Sequence, residues 1–455
     1  MKKVNPVIMC GGLGKRLWPL STKEIPKPFI NFQESSLFTK TLERFYIDNI
    51  TYNTPLVITN ELNRFQAKYQ NIINKIEETS IILEPSIKNT LPAIILSALS
   101  LIELGHDSEP MIIASADHYI PDPDNFNATI KMAIKDIREN DLIIFGKRPT
   151  SATTQYGYFS GDNKLNNEKF SVKEFFEKPD ESKAKIYKKN GYFWNTGIFL
   201  MFPRALINAT KMLDKNLYKL CCKAWEHKKI DGVFLRPNEK FFNKIDPISI
   251  DNGLLENHKK LKNLKLKALA LSCEWSDVGD IKNFLQFNTS NSADTLTNFK
   301  GKLYSNSKKN QLNKSMALFN NETLFLSNTK NIDEDIVSFK EKITDEIIST
   351  TIYRKWGFFE ILSESKKFKI KKITIFPGQS ISLQVHQKRN EHWNFISGVG
   401  KVICGDMTKK VTTNDQVFIP KKIIHKLTNI STYELLVFVE IQTGEYFGED
   451  DIERI

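Results

Sequence analysis

The sequence predicts an α/β domain built on an open, mostly parallel sheet, followed by a smaller all-β domain of barrel or jelly-roll type. Three observations carry this. The chain has 455 residues, more than one hydrophobic core normally organises, so two or three domains are expected. Up to about residue 287, short apolar runs alternate with helix-like segments. After about residue 351 the apolar runs become short, alternating and closely spaced, with little helix between them. The implied boundaries are 1–290 for the α/β domain, 291–350 for a connector and 351–455 for the β domain.

In chain order, residues 4–9, "PLVIT" (55–59), "SIILEP" (80–85), "MIIAS" (111–115) and "LIIFG" (142–146) read as buried strands. "KYQNIINKIEE" and "FNATIKMAIKDIREN" read as helices between them. This alternation implies parallel pairing, with ligands bound at the carboxyl ends of the strands. The stretch "NTSNSADTLTNFKGKLYSNSKKNQLNKS" is rich in Asn, Ser and Lys, and reads as a polar connector with a few short strands. Beyond it, "FKIKKITIF", "SISLQVH", "WNFISG", "KVICG", "QVFIP" and "ELLVFVEIQ" read as the strands of the second domain.

Composition narrows the function. A hydrophobic fraction of 40% with 31 Phe supplies ample core material, and the net charge of +12 is spread along the chain. Without a basic arm or lysine-rich tail, no nucleic-acid partner is expected, whereas small anionic substrates suit a mild positive excess. The five cysteines form no C-x-x-C pair, which argues against a disulfide framework and fits a reducing cytoplasm. The longest apolar stretch, "LPAIILSALSLIEL", is too short to span a bilayer, and the start of the chain has no signal-peptide core, so no membrane association is expected. A homo-oligomer is the expected assembly.

The first chemical signal is "CGGLGKRLWPLSTKEIPKPF", residues 10–29. Gly11, Gly12 and Gly14 lack the Cβ that keeps a backbone away from a ligand, and a strand opening into them turns N–H groups toward a point where phosphate can sit. Arg16 and Lys27 would add charge; the alternative is a tight turn and a solvated basic segment. "ASADHY" closes a strand with Asp117, and "CEWSDVGD" holds Asp277. Each is either a local cap or a magnesium ligand, since magnesium on phosphates takes one or two protein carboxylates. "FFEKP" offers Glu177 and Lys178, and "FWNTGIF" offers Asn195, groups that can hydrogen-bond a sugar or simply form a salt bridge or a turn.

Taken together, "GGLGKRLWPLS…PKPF", "EPSIKNTLPAI", "SADH", "QYGYF", "FFEKP", "FWNTGIF", "SIDNGLLE" and "WSDVGD" follow the order found in sugar-nucleotide pyrophosphorylases. Over residues 3–287 the chain most resembles the long bacterial mannose-1-phosphate guanylyltransferases. The resemblance implies nucleotidyl transfer between GTP and mannose 1-phosphate on a Rossmann-like sheet. It implies that Gly11, Gly12 and Gly14 with Arg16 and Lys27 hold the nucleotide phosphates, and that Lys88 and Asn89 bind the nucleotide. Asp117 and Asp277 would hold Mg2+, while Gly157, Glu177, Lys178 and Asn195 would meet the sugar phosphate. Lys88 and Leu91 stand where that family usually has Arg and Ala.

In "FPGQSISLQVHQKRNEHWNFISGVG", strand alternation puts Ser380, Ser382, Gln384 and His386 on one face, with Glu391 after a short turn. "VFIPKKIIHKLTN" adds His425 at the end of another strand. Two imidazoles, a carboxylate and an amide oxygen suit a borderline divalent ion such as Zn2+, unless the histidines are unrelated in space. Gly378, His386, Glu391 and Gly398 keep the spacing of the first cupin motif, and Pro420, His425 and Asn429 that of the second; Asn414 and Lys422 replace its usual glycines. More narrowly, "YRKWGFFEIL", "SLQVHQKRNEHW" and "GEYFGEDDIER" resemble the type II mannose-6-phosphate isomerase domain. That resemblance implies that Arg389 is catalytic or contacts substrate, and that Lys371 meets the phosphate of mannose 6-phosphate. A fusion of the two domains implies a bifunctional enzyme of GDP-mannose synthesis serving polysaccharide production. The alternatives are a guanylyltransferase with a structural or dimerising cupin domain, and a non-catalytic sugar-nucleotide binder.

Overall fold

The first apolar run is a strand, β1 (Asn5–Met9), buried along most of its length. It lies at the centre of a parallel group, between β2 (Leu56–Asn60) and β4 (Met111–Ser115), with β3 (Ile81–Glu84) beyond β2. Strands covered on both faces need no alternation, which is why these segments read as unbroken apolar runs. This computed structural model describes residues 3–279, apart from 13–16, 18–20, 22–24, 33–34, 47–49, 74–78, 162–168 and 262, then three short strands in the connector, and residues 351–455. The chain divides into two compact units, Met1–Leu17 with Pro26–Asn291, and Ser292–Ile455 with Trp18–Ile25.

Helices connect the parallel strands of the first unit. Helix α1 (Arg64–Ile73) follows β2, α2 (Thr90–Glu103) follows β3, and α3 (Pro123–Lys135) follows β4. At α2 the Asn89 side chain accepts from the Thr90 N–H at 2.9 Å, and at α3 Asp122 accepts from the Asn125 N–H at 2.9 Å with proline in the first turn. The segment "FNATIKMAIKDIREN" is helical only as far as Lys135. The Asp136 dihedrals leave the helix, and Asp141, whose carboxylate accepts from the Arg138 N–H at 3.0 Å, already begins the next strand.

Among the described residues the sheet has eleven strands. In addition to β1–β4 it contains β5 (Asp141–Lys147), β6 (Tyr158–Gly161), β7 (Phe170–Phe176), β8 (Phe193–Met201), β9 (Lys229–Asp231), β10 (Phe234–Arg236) and β11 (Lys265–Ala270). Their order is β9-β10-β3-β2-β1-β4-β8-β5-β11-β7-β6. The run from β10 to β4 is parallel, as the strand–helix alternation predicts, but β8 runs antiparallel to both β4 and β5. The sheet is therefore mixed. Because β8 runs backwards, its first residues lie level with the carboxyl ends of β4 and β5, where Asn195 pairs with Gly146. Its ladder breaks between Asn195 and Phe199, around Gly197 at φ +69°.

In the connector, Lys302–Ser305, Ser315–Leu318 and Thr323–Phe325 form a three-stranded antiparallel sheet. The remainder of 291–350 lies outside the described residues. From Thr351 onward the fold is antiparallel. One six-stranded sheet comprises β12 (Thr351–Arg354), β13 (Gly357–Glu364), β14 (Phe368–Ile375), β16 (Arg389–Ser397), β19 (Gln416–Ile419) and β21 (Leu436–Gly444), in the order β12-β13-β14-β21-β16-β19. A five-stranded sheet comprises β15 (Gln384–His386), β17 (Gly400–Cys404), β18 (Met407–Val411), β20 (His425–Asn429) and β22 (Ile452–Arg454), in the order β18-β17-β20-β15-β22. Side chains from both sheets meet in one core, among them Trp393, Phe395, Val402, Leu427, Leu436 and Phe438. This is the cupin-like architecture expected of "SISLQVH" and its neighbours, although the strand there is confined to Gln384–His386.

Asn414 and Lys422 have φ of +70° and +66°. The turns keep the left-handed backbone for which glycine is the usual residue, so replacing those glycines changed the residue without changing the turn.

Candidate functional sites

Parallel β1 and β4 release their following loops side by side. After β1, Gly12 has φ +95°, and a Cβ at Gly11 or Gly12 would meet nothing within 4 Å, so this part of the loop borders open space. Gly14 and Arg16 lie outside the described residues. Lys27 returns to this edge on a single 3-10 turn, Lys27–Phe29, with only 7% of its surface exposed. Its Nζ donates to Asp117 Oδ2 at 2.7 Å and also to the Asp277 carbonyl. A lysine this buried requires an opposite charge, and Asp117 supplies it.

Asp117 stands two residues beyond β4, and Ser115 Oγ donates to its other oxygen. Burial works against its charge, but the Lys27 ammonium, the His118 ring and the Ser115 hydroxyl together outweigh it, and the carboxyl pKa falls to about 2. Burial also lowers the His118 imidazole below its ordinary value. Asp277 comes from much later in the chain, and a two-bond bridge between Tyr119 and Ser276, at 2.9 and 3.0 Å, brings it alongside. Its Oδ1 accepts from Tyr156 Oη at 2.7 Å and from the Gly279 N–H at 3.1 Å. Between them, Val278 has φ +45°, a strained conformation for a β-branched residue. Lys27 thus links the Asp117 carboxylate to the Asp277 backbone, and Asp117 is not a helix cap.

Beside this cluster is a cavity of about 230 Å³ lined in part by Gly157, Glu177, Lys178, Asn195, Asp251 and Trp275. A Cβ at Gly157 would lie 2.8 Å from Glu177 Oε2 and 3.0 Å from the Phe175 ring, so glycine is what admits the carboxylate. Lys178 Nζ pairs with Glu177 Oε1 at 2.9 Å. Asn195 is fixed on three sides. Its N–H donates to the Gly157 carbonyl at 2.8 Å, its Oδ1 accepts from the Gly197 N–H at 3.1 Å, and its Nδ2 donates to Asp251 Oδ1 at 2.8 Å. Asp251 was not among the sequence candidates, although it stands in the quoted segment "SIDNGLLE". Burial, followed by the negative charge of Glu177, raises its pKa to about 7.

Lys88 and Asn89 sit at the start of α2, whose Thr90 lines the cavity. Their own side chains are engaged locally. Lys88 Nζ donates to the Asn243 carbonyl at 2.8 Å, and Asn89 caps the helix at φ +66°.

In the β unit, Gln384, His386, Glu391 and His425 converge. Gln384 and His425 are register partners on β15 and β20, and Glu391 projects from β16 in the other sheet. His425 opens its strand rather than closing the preceding one, because the turn around Lys422 separates it from β19. His386 Nε2 lies 3.0 Å from Glu391 Oε1, and His425 Nε2 lies 3.8 Å from Glu391 Oε2. The ligand atoms of His386, Glu391 and His425 all fall within 4.8 Å of one another, and all three residues are buried. Gln384 Nε2 is 3.5 and 3.4 Å from the two imidazole Nε2 atoms, while its Oε1 accepts from Ser382 Oγ at 3.1 Å. A half-turn of the amide brings the oxygen to the imidazoles instead. His425 Nδ1 bonds the Ile423 carbonyl at 2.9 Å, which leaves its Nε2 facing the cluster. Burial lowers the His425 pKa, keeping the ring in the neutral form a metal requires.

Glu391 is held below the usual carboxylate range: burial opposes its charge, but His386, His425 and Arg389 overcome it. Arg389 is 2% exposed, and its Nε donates to Glu391 Oε1 at 3.2 Å while Nη1 donates to the Gly448 carbonyl at 3.0 Å. Trp393 Nε1 donates to Glu391 Oε2 and to Glu440 Oε2, each at 3.1 Å. Gln442 Nε2 joins the same two acids at 3.2 and 2.7 Å. Lys371 is buried as well, 3.3 Å from Glu449 Oε1 and 3.9 Å from Glu440 Oε1. Burial and the Glu391 charge push Glu440 above its ordinary value.

Two family models cover most of the chain: Nucleotidyl transferase matches residues 5–293, and Mannose-6-phosphate isomerase C-terminal matches residues 342–455. The chain is 32% identical to the Alginate biosynthesis protein AlgA of Pseudomonas putida, covering 99% of this chain and 95% of that protein. It is also 32% identical to the Mannose-1-phosphate guanylyltransferase RfbM of Salmonella typhimurium, covering 99% of this chain and 96% of that protein. The crystal structure of mannose-1-phosphate geranyltransferase from Thermus thermophilus superposes with a TM-score of 0.54 at 24% identity, over 64% of this chain and 80% of that one, a likeness of fold.

Proposed function

Because the chain belongs to the mannose-1-phosphate guanylyltransferase family whose nucleotidyl transferase domain is joined to a mannose-6-phosphate isomerase domain, we propose that it performs both reactions in GDP-mannose synthesis. The α/β domain transfers the nucleotidyl group of GTP to mannose 1-phosphate and releases pyrophosphate. The β domain interconverts mannose 6-phosphate and fructose 6-phosphate, and the product serves polysaccharide biosynthesis. We assign the first activity to residues 1–290 and the second to 351–455, in a cytoplasmic homo-oligomer; five free cysteines suit a reducing compartment. Among the described residues, no helix is long and apolar enough to cross a membrane.

The observation that carries the transferase is Lys27 held between Asp117 and Asp277, at the carboxyl edge of the sheet and beside the cavity. In this reading Gly11 and Gly12 admit the nucleotide phosphates, Lys27 neutralises them, and Glu177, Lys178 and Asn195 orient the sugar phosphate. The phosphate oxygen of mannose 1-phosphate must approach an anionic α-phosphate, so positioning and charge stabilisation make the main contribution. Two carboxylates, one held ionised, fit the one or two protein ligands that Mg2+ takes when phosphates and water complete its octahedron. When bound, Mg2+ would draw charge from the phosphate oxygens.

In the β domain, His386, Glu391, His425 and the Gln384 amide form a donor set suited to a transition metal such as Zn2+. The fit has its own structural support: His425 Nδ1 is tied to a carbonyl and Glu391 is locked by Arg389, Trp393 and Gln442, as metal ligands usually are. When bound, the ion would act as a Lewis acid during proton transfer between adjacent sugar carbons. Arg389 orients Glu391, and Lys371 offers a cation to the substrate phosphate once Glu449 yields it. The test is direct. Purified full-length protein should release pyrophosphate from GTP and mannose 1-phosphate, and should convert fructose 6-phosphate. Absence of the first reaction defeats the transferase reading; absence of the second alone leaves the β domain structural.

A further inference from the structure

Asp251 is the acid in the cavity for which the roles above leave no task. It lies on a one-turn π-helix, Asp251–Leu255, and lines the same wall as Glu177 and Asn195. Its Oδ1 accepts from Asn195 Nδ2 at 2.8 Å, and the Asn195 Oδ1 is already taken by the Gly197 N–H, so the contact with Asp251 fixes which way the amide points. Glu177 is held against Gly157 with no room for a Cβ between them. A site for a polyhydroxylated ligand thus contains two carboxyl groups, Glu177 and Asp251, in addition to Asp277. Two nearby carboxylates withdrawn from water do not both carry charge readily, and a carboxyl that keeps its proton becomes a donor.

We propose that Asp251 is a positioning and binding residue of the sugar-phosphate site, orienting Asn195 and pairing with Glu177 as the donor and acceptor for one sugar hydroxyl. This rests on the reading of the cavity as the mannose 1-phosphate site. With Oδ1 committed to Asn195, the proton rides on Oδ2. Glu177 and Lys178 face Asp251 from the segment after β7, Glu256 lies one turn on along its own element, and His118, Tyr156 and Asp277 share the cavity wall. Burial first and then the Glu177 charge favour the protonated form, while Lys178 and the bond from Asn195 oppose it, leaving the pKa at about 7. Below that pH the donor is present. Above it, a second negative charge opposes both the Glu177 pair and an anionic substrate.

The experiment measures KM and kcat for mannose 1-phosphate, and KM for GTP, across about pH 6 to 9 on the full-length chain with Asp251→Asn and Asp251→Ala. For the unmodified enzyme, KM for mannose 1-phosphate should rise as pH passes about 7. Asp251→Asn keeps a neutral donor of the same shape, so its KM should stay low and lose that rise. Asp251→Ala removes one hydrogen bond and the anchor of Asn195, and should raise KM on the order of tenfold at every pH while leaving KM for GTP unchanged. If Asp251→Asn keeps the pH profile of the unmodified enzyme, or both variants bind mannose 1-phosphate normally, the inference is overturned. If the unmodified enzyme forms no pyrophosphate from GTP and mannose 1-phosphate, the reading of the site fails first, and the two failures are distinct. Should the alanine variant not fold, the asparagine profile still decides.

Discussion

Lys27 shows how one side chain can tie distant segments to one chemistry. It bonds Asp117 and the Asp277 carbonyl, so removing it leaves a half-buried carboxylate without its cation. Lys27→Ala should lower the rate of pyrophosphate formation on the order of 10²-fold, comparable to losing one preorganised electrostatic contact. Lys173→Ala, on an exposed position of β7, should leave it near normal. Steady-state rates on the two variants decide the matter, and equal rates would make Lys27 an ordinary cation. The variant also has a pH signature. Asp117 has a folded pKa of about 2, below the ordinary 3.8, so its contribution to stability is present above 3.8 and lost as pH falls through 2. Without Lys27 only the His118 ring and the Ser115 hydroxyl oppose the burial penalty and the Asp117 pKa rises, so the stability deficit of Lys27→Ala should be greatest near neutral pH and shrink as pH falls below 3.8. Lys27, Asp117 and Asp277 were legible because strand ends and glycine loops mark where ligands bind. Asp251 was not, since an acid within a short irregular turn carries no periodicity, and its neighbours Glu177 and Asn195 come from β-segments far away in the chain.

At the level of elements, the β unit turns corners by two means. At Gly398, φ is +87° and a Cβ would lie 2.4 Å from the Leu435 carbonyl oxygen, so Gly398→Ala forces the backbones apart. At Lys422, φ is +66°, yet the side chain is exposed. Gly398→Ala should destabilise by about 2 kcal/mol or more, whereas Lys422→Gly should be neutral or stabilising by about 1 kcal/mol, since relief of left-handed strain offsets the added freedom of the unfolded chain. Denaturant melts followed by a signal from the β unit measure both. The same elements show what can be read in advance. Alternation in "SISLQVH" correctly pairs Gln384 with His386, because a two-residue period survives in a strand as short as β15. The reversal of β8 was not legible, because strand direction depends on the connections that carry the chain back to the sheet, and an apolar run reads the same either way.

Across the whole molecule, the two proposed reactions draw on separate side chains, with Asp117 in one unit and His386 and His425 in the other. His386→Ala or His425→Ala should remove isomerase activity and bound metal while GDP-mannose formation persists. Asp117→Asn should do the reverse, leaving fructose 6-phosphate conversion intact. Measuring both reactions and metal content on every variant checks this, and loss of both reactions from a single substitution would contradict it. The division into an α/β part and a β part was plain in the spacing of apolar runs, because buried parallel strands and half-exposed antiparallel ones repeat differently. Only three short strands are described in the connector, where a sequence rich in Asn, Ser and Lys offers little apolar surface from which to infer a core.

Trp393 lends the β unit a built-in optical reporter. Its indole N–H is shared between Glu391 and Glu440 within a closed core, so light emitted by this ring depends on how much negative charge those two oxygens present to it. An ion drawing on Glu391 would dim or shift that emission without any added dye, and Trp393→Phe would silence the change. Titrating a divalent ion into the apo-protein in a fluorimeter, with Trp393→Phe as the blank, would then report the ion entering the cluster before any sugar is added.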